Sequence, residues 1–132
     1  MSRAYDPAFA PPAPVLSVRL AAPGESAQSE PRLAVVDTGA DGTLVPARLL
    51  EQIEAIGVGS AILRGVLGEA REVHLYEVDL QVEMLTLPGI LVASDEQGDE
   101  ILLGRNVLNK LILLLDGPSG YIEHFESRPP WR

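Results

Sequence analysis

The chain contains no cysteine, which excludes disulfides and thiolate zinc sites and leaves the redox compartment unread. Histidine is nearly as scarce. With only His74 and His124, an H-E-x-x-H zinc site cannot be assembled. Basic charge is also short, with 10 Lys and Arg against 19 Asp and Glu, a net charge of −9 and a pI near 4.6. No basic patch is visible, so phosphate-backbone binding, which depends on clustered Lys and Arg, is disfavoured. Long apolar runs are missing as well. Leu111 to Leu115 is far too short to span a bilayer, and Arg3 is not followed by the apolar h-region of a signal peptide. These absences lead to the expectation of a soluble, cytoplasmic protein that binds neither nucleic acid nor membrane.

What the chain does hold is globular. Its 132 residues are 46% hydrophobic and 22% charged, enough for one core but not comfortably for two. Within it, Leu33-Ala34-Val35-Val36 runs directly into Asp37-Thr38-Gly39-Ala40-Asp41. A short β-branched run stopped by a turn signal reads as a buried strand ending in a tight loop. Asp37 therefore stands where strand becomes loop, and a carboxylate there is costly to desolvate unless it is bonded or used. The plain alternative is an ordinary turn, for which Asp and Gly are common residues.

Along the chain, residues 1 to 14 carry Pro7, Pro11, Pro12 and Pro14 and read as a flexible arm. Val15 to Leu20 and Arg32 to Asp37 read as a hairpin with a long polar loop, and Thr43 to Val45 as a short strand. Pro46 then opens a short helix whose Leu49, Leu50, Ile53 and Ile56 recur at helical spacing, with Gly57 as its C-terminal cap. Val58 to Leu63 and Arg71 to Leu85 flank a glycine-punctuated tip at Arg64 to Glu69. In the second of these, Val78, Leu80, Val82 and Met84 alternate with Glu77, Asp79, Gln81 and Glu83, one face buried and one wet. Thr86 to Ala93 reads as a strand interrupted by Pro88-Gly89, and Ser94 to Asp99 as an acidic loop. Glu100 to Arg105 repeats the pattern of an apolar strand running into glycine. Asn106 to Lys110 reads as a second short helix, Leu111 to Leu115 and Tyr121 to Phe125 as the last strands, and Ser127 to Arg132 as a tail. The fold expected is all-β, mainly strands with two short helices, in one domain from 15 to 126.

Two motifs now stand in order: Val35-Val36-Asp37-Thr38-Gly39-Ala40-Asp41 early and Ile101-Leu102-Leu103-Gly104-Arg105-Asn106-Val107-Leu108 late. Together they resemble the retroviral-type aspartic proteases, the retropepsins, and more closely their small bacterial relatives, over roughly residues 15 to 115. The resemblance implies a single-lobe half-barrel with Asp37 as the catalytic aspartate. It implies that the Thr38 hydroxyl knits two active-site loops across a dimer and that substrate backbone passes close to Gly39, with Ala40 completing the loop. Asp41 and Arg105 would form a bracing ion pair, Leu103 and Gly104 would pack against the catalytic loop, and Gly65, Val66, Leu67 and Gly68 would form the flap tip.

The implied reaction is peptide hydrolysis without a cofactor or metal. Two carboxylates about 3 Å apart cannot both ionise readily, so the pair keeps one shared proton. The chain has one D-T-G and no D-S-G, so the second aspartate must come from a second copy in a two-fold homodimer. The partners implied are thus a peptide or protein substrate and a second chain. The alternative, from a different class, is a catalytically silent retropepsin-like domain used for protein binding or assembly. It is motivated by a flap tip flanked by Arg64 and Glu69 and by a C-terminus that continues past Leu115.

Overall fold

The computed structural model describes residues 1–26, 29–64 and 67–130. β1 (Ser2–Ala4) is followed by β2 (Val15–Ala21) and β3 (Arg32–Val36), which form the expected antiparallel hairpin. β4 (Thr43–Pro46) leads into α1 (Ala47–Gln52), and then come β5 (Ile56–Arg64), β6 (Ala70–Val82) and β7 (Leu85–Asp95). β8 (Ile101–Leu103), α2 (Arg105–Leu108), β9 (Ile112–Asp116) and β10 (Tyr121–Phe125) complete the chain.

The main sheet runs β2-β3-β8-β4-β7-β6-β5, and a further β2–β6 pairing closes its first six strands into a barrel, with β5 left outside. Closure removes the edges that an open sheet of these strands would expose. Alternation fills the interior. Leu16, Val18 and Leu20 from β2, Val78, Leu80 and Val82 from β6, and Ile101 and Leu103 from β8 are all at or below 1% exposure. Leu49, Leu50 and Ile53 bring α1 onto the same core.

The pairing that matters most for the site is that of β8. It lies between β3 and β4, parallel to the first (Ala34↔Ile101, Val36↔Leu103) and antiparallel to the second (Leu44↔Leu102). The loop joining β3 to β4 must therefore pass around the end of β8, and Gly104 sits at that end.

Four local expectations are corrected. The arm at 1–14 is not wholly free: Ser2–Ala4 pairs with β10, and Asp6 bridges Ala13. The prolines that suggested looseness begin only at Pro7. The first helix ends at Gln52, and Gly57 belongs to β5, because Glu54 at φ 53° supplies the left-handed turn expected of the glycine. Arg71 to Leu85 is not one strand. Glu83, also at φ 53°, turns the chain between β6 and β7, and Met84 is 82% exposed. Conversely, Pro88-Gly89 does not interrupt β7. Opposite it the β6 register shifts between Val78 and Leu80, and Asp79 Oδ1 accepts from the Gly89 N–H at 3.0 Å.

A smaller sheet, β1-β10-β9, lies at the joined termini of the chain. The Met1 amino group donates to the His124 carbonyl at 3.2 Å and the His124 N–H donates to the Met1 carbonyl at 2.8 Å. Arg3 then ties this sheet to the barrel through Glu83, Nε to Oε2 at 2.9 Å and Nη2 to Oε1 at 3.0 Å. No helix among the described residues is long and apolar enough to cross a membrane.

Candidate active-site loop

Asp37 leaves β3 with its backbone N–H donating to the Leu103 carbonyl at 3.0 Å, so the strand pairing with β8 is carried one residue into the loop. The chain then turns tightly. Ala40 N–H returns to the Asp37 carbonyl at 3.2 Å, and Gly39 N–H donates to Asp37 Oδ1 at 2.9 Å. The second carboxylate oxygen, Oδ2, has no partner among the described residues. The side chain is half-buried while Thr38 and Gly39 are exposed. The loop thus fixes one oxygen of an acid and turns the residues beside it towards solvent.

The brace comes from the segment after β8. Gly104 is buried, and a Cβ placed on it would lie 2.0 Å from the Gly42 carbonyl oxygen and 3.0 Å from that of Ala40. Only glycine permits this approach of two backbones. Arg105 N–H donates to the Ala40 carbonyl at 2.8 Å, and Asn106 N–H to that of Asp41 at 3.3 Å. The Gly104 N–H donates to Thr43 Oγ1 at 3.1 Å, and the Thr43 hydroxyl donates to Asn106 Oδ1 at 2.7 Å. Asn106 in turn donates through Nδ2 to the Leu91 carbonyl on β7 at 2.9 Å. Every polar group in this chain of contacts has a partner, the condition under which a buried polar network rigidifies its surroundings.

The structure brings Asp37, Thr38, Gly39, Ala40, Leu103, Gly104 and Arg105 together from segments more than sixty residues apart in sequence. It does not form the expected Asp41–Arg105 ion pair. Among the described residues the ion pairs are Arg3–Glu83 and Arg48–Asp99, and the Arg105 guanidinium instead donates to the Thr38 carbonyl at 2.8 Å. A carbonyl on the loop it must brace lies within the reach of Arg105, while Asp41 is exposed and contributes its backbone. Of the residues expected to form a flap tip, Gly65 and Val66 lie outside the described residues. Leu67 is 90% exposed and Gly68 takes φ +87° at the hairpin tip.

Two residues with structural weight here were not singled out from the sequence. Thr43, 1% exposed, joins the two loops, and Asn106 joins them to β7. The signal available was a lone hydroxyl at the head of the apolar Thr43-Leu44-Val45 strand, which must find a partner when buried. No group of three or more His, Asp and Glu side chains among the described residues is placed to hold a metal.

No protein-family model matches the chain, and no curated protein matches it in sequence. Solved structures do match. One is EIAV protease complexed with the inhibitor HBY-793, at 20% identity and TM-score 0.56, covering 74% of this chain and 86% of that one. Another is the foamy viral protease-reverse transcriptase dRH in complex with double-stranded DNA, at 17% identity and TM-score 0.57. It covers 77% of this chain, which spans only 16% of that larger protein. The fold is retropepsin-like, a single lobe built mainly of strands with two short helices.

Proposed function

We propose that the chain is a homodimeric aspartic endopeptidase of retropepsin type, akin to the small bacterial members, acting on a peptide or protein substrate. The observation that carries this reading is the Asp37 loop. One carboxylate oxygen is held by the Gly39 N–H, the other has no partner among the described residues, and the loop is braced by Gly104, Arg105 and Thr43. Such bracing holds a group in place before reaction, which is what acid–base catalysis by a positioned carboxylate requires.

With a second copy across a two-fold axis, the two Asp37 side chains share one proton. The ionised carboxylate takes a proton from a water held between them as the water oxygen bonds to the scissile carbonyl carbon. The protonated one donates to the carbonyl oxygen. Collapse of the resulting diol breaks the C–N bond: the leaving nitrogen takes the proton that the first carboxyl gained from the water, and a diol hydroxyl returns its proton to the other carboxylate. Exposed Thr38 and Gly39 stand beside the acid, where loop-to-loop and substrate-backbone contacts belong. The β5–β6 hairpin supplies the covering element.

The test is Asp37→Asn, assayed on a peptide library. Cleavage should fall by about 1,000-fold or more, with sedimentation and thermal unfolding nearly unchanged. Undiminished cleavage would sink the assignment. Activity should also pass through a maximum on the acidic to neutral side, and a rate that only climbs into alkali would contradict a shared proton.

A second reading is a silent domain that binds protein, supported by the polar hairpin tip, where exposed Leu67 stands between Arg64 and Glu69. A protein that stays monomeric at high concentration and cleaves no library member would support that reading instead.

A further inference from the structure

Soft metal donors are scarce in this chain, which holds no cysteine, two methionines and two histidines. Both methionines and one of the histidines nevertheless meet at a single cavity of about 320 Å³. They reach it from three separate places: Met1 ahead of β1, Met84 in the turn between β6 and β7, and His124 on β10. The cavity shares no lining residue with the Asp37 loop.

His124 is 6% exposed and stands two residues after Ile122, which packs into the main core, so both side chains lie on the barrel side of β10. A buried imidazole needs partners for its nitrogens. Among the described residues no hydrogen bond reaches them, and the bonds that His124 makes to Met1 use its backbone. Nor is any unpartnered side-chain nitrogen among those residues sealed from solvent. The ring of His124 therefore opens on the cavity it lines. Met84 is 82% exposed and Met1 47%, so packing does not account for either thioether. A flexible side chain at the rim of a cavity can turn its sulfur inward.

The surrounding charge narrows the ligand. Glu83 also lines the cavity, but its carboxylate is taken up by the Arg3 guanidinium and the Ser17 N–H. Glu126 lines it as well and belongs to no ion pair among the described residues, which favours a cation. A zinc-like ion would call for three His, Asp or Glu side chains within reach, and among the described residues no such group is formed. Thioether sulfur with a neutral imidazole is the donor set of a soft monovalent ion.

We propose that Met1, Met84 and His124 form a three-coordinate site for copper(I), with the Glu126 carboxylate supplying negative charge nearby. The bound ion would join the β6–β7 turn to the terminal sheet, beside the Arg3–Glu83 clamp. The site goes beyond the protease reading and shares no residue with it.

The experiment uses the full chain under anaerobic conditions, with silver(I) as a redox-inert probe for NMR and copper(I) for affinity. Two methionines give two methyl signals in a sample labelled at those methyls. Both should shift on addition of stoichiometric silver(I), together with the ring signals of His124 and not those of His74. Copper(I) should be held at one ion per chain in competition with bathocuproine disulfonate, and zinc(II) should not protect the site from it. Met84→Leu, at an exposed position of nearly constant volume, should weaken copper(I) binding by about tenfold or more, no less than the loss of a supporting partner costs. His124→Gln should weaken it likewise, and His74→Gln should leave it unchanged. Should His124→Gln fail to fold, Met84→Leu decides. Copper(I) that is not retained, a titration in which only one methyl signal moves, equal affinity in Met84→Leu, or binding lost in His74→Gln would each overturn the proposal.

Discussion

Between Asp37 and Thr43 the chain is held from outside by Leu103, Gly104, Arg105 and Asn106, whereas in the β5–β6 hairpin nearly all of β5 is exposed and, among the described residues, its one strand neighbour is β6. One strand shows both behaviours. In β6 the first residues, Ala70 to Glu72, are exposed, while Val78, Leu80 and Val82 at the other end are fully buried. The same backbone geometry is thus rigid or loose according to what covers it. A loop without large apolar residues can be fixed by polar contacts, and a well-formed ladder can be left with few contacts beyond its own partner. Low local stability of that kind is what a covering element needs in order to open and close.

The comparison breaks most completely at Gly104. Replacing it with Ala puts a methyl 2.0 Å from the Gly42 carbonyl oxygen, and the obstacle is backbone, not a side chain that can swing aside. Gly104→Ala should cost about 4 kcal/mol or prevent folding, as measured by urea unfolding. A loss below about 1 kcal/mol would mean that the two loops are free to separate.

Thr43→Val sharpens the same point at nearly constant volume. It leaves the buried Gly104 N–H without its acceptor and Asn106 Oδ1 without its donor. The expected cost is about 2 kcal/mol. Peptide cleavage should fall further than the loss of folded protein explains, because Asn106 also tethers the loop to β7. Equal losses in stability and activity would make the contact a purely structural one.

Much of this organisation was legible in the sequence, and the parts that were not share a cause. The run Leu33 to Val36 against Asp37-Thr38-Gly39 marked the strand end correctly, and Ile101 to Gly104 marked its companion. Local pattern carries that information, because alternation and turn chemistry act over a few residues. The insertion of β8 between β3 and β4 was not readable, since nothing local says which strand pairs with which across sixty residues. Likewise the resemblance implied an ion pair between Asp41 and Arg105, but which acceptor a guanidinium reaches is decided by the packed geometry, and it reaches Thr38. The turn at Glu83 was missed because the apolar alternation runs on through Met84 and no glycine or asparagine marks the bend. Its left-handed backbone is held by one tertiary contact and one local one: Glu83 N–H donates to the Ser17 carbonyl at 2.7 Å, and Gln81 Nε2, two residues back, donates to the Glu83 carbonyl at 3.0 Å.

Glu83 gives the third test, at the buried end of β6. Its side chain is 8% exposed, and burial alone would push its carboxyl upward. The Arg3 guanidinium and the Ser17 N–H outweigh that and hold it below the usual carboxylate range, with His124 adding to the same side. A depressed value means that the clamp is fully present above the unfolded carboxylate pKa, about 4.3, and is lost as pH falls below it. Glu83→Gln should therefore lower stability by about 1–2 kcal/mol at neutral pH. Melting temperatures measured against pH should show the gap to wild type closing below about pH 4. A gap that widened in acid would reverse the sign of the argument.

The smallest effect on stability belongs at the other end of the comparison. Leu67 is 90% exposed at the hairpin tip and touches too little to support the fold, so Leu67→Ser should change unfolding free energy by less than about 0.5 kcal/mol. If the hairpin covers a bound peptide, the same change removes an apolar contact made only when substrate is present. A contact of that kind is worth about 1–2 kcal/mol, hence about five- to thirty-fold in kcat/KM. Kinetics with an apolar and a polar peptide separate the cases. A loss confined to the apolar substrate makes Leu67 part of the binding surface. An unchanged kcat/KM for both, together with unchanged stability, would mean that the tip neither supports the lobe nor meets substrate.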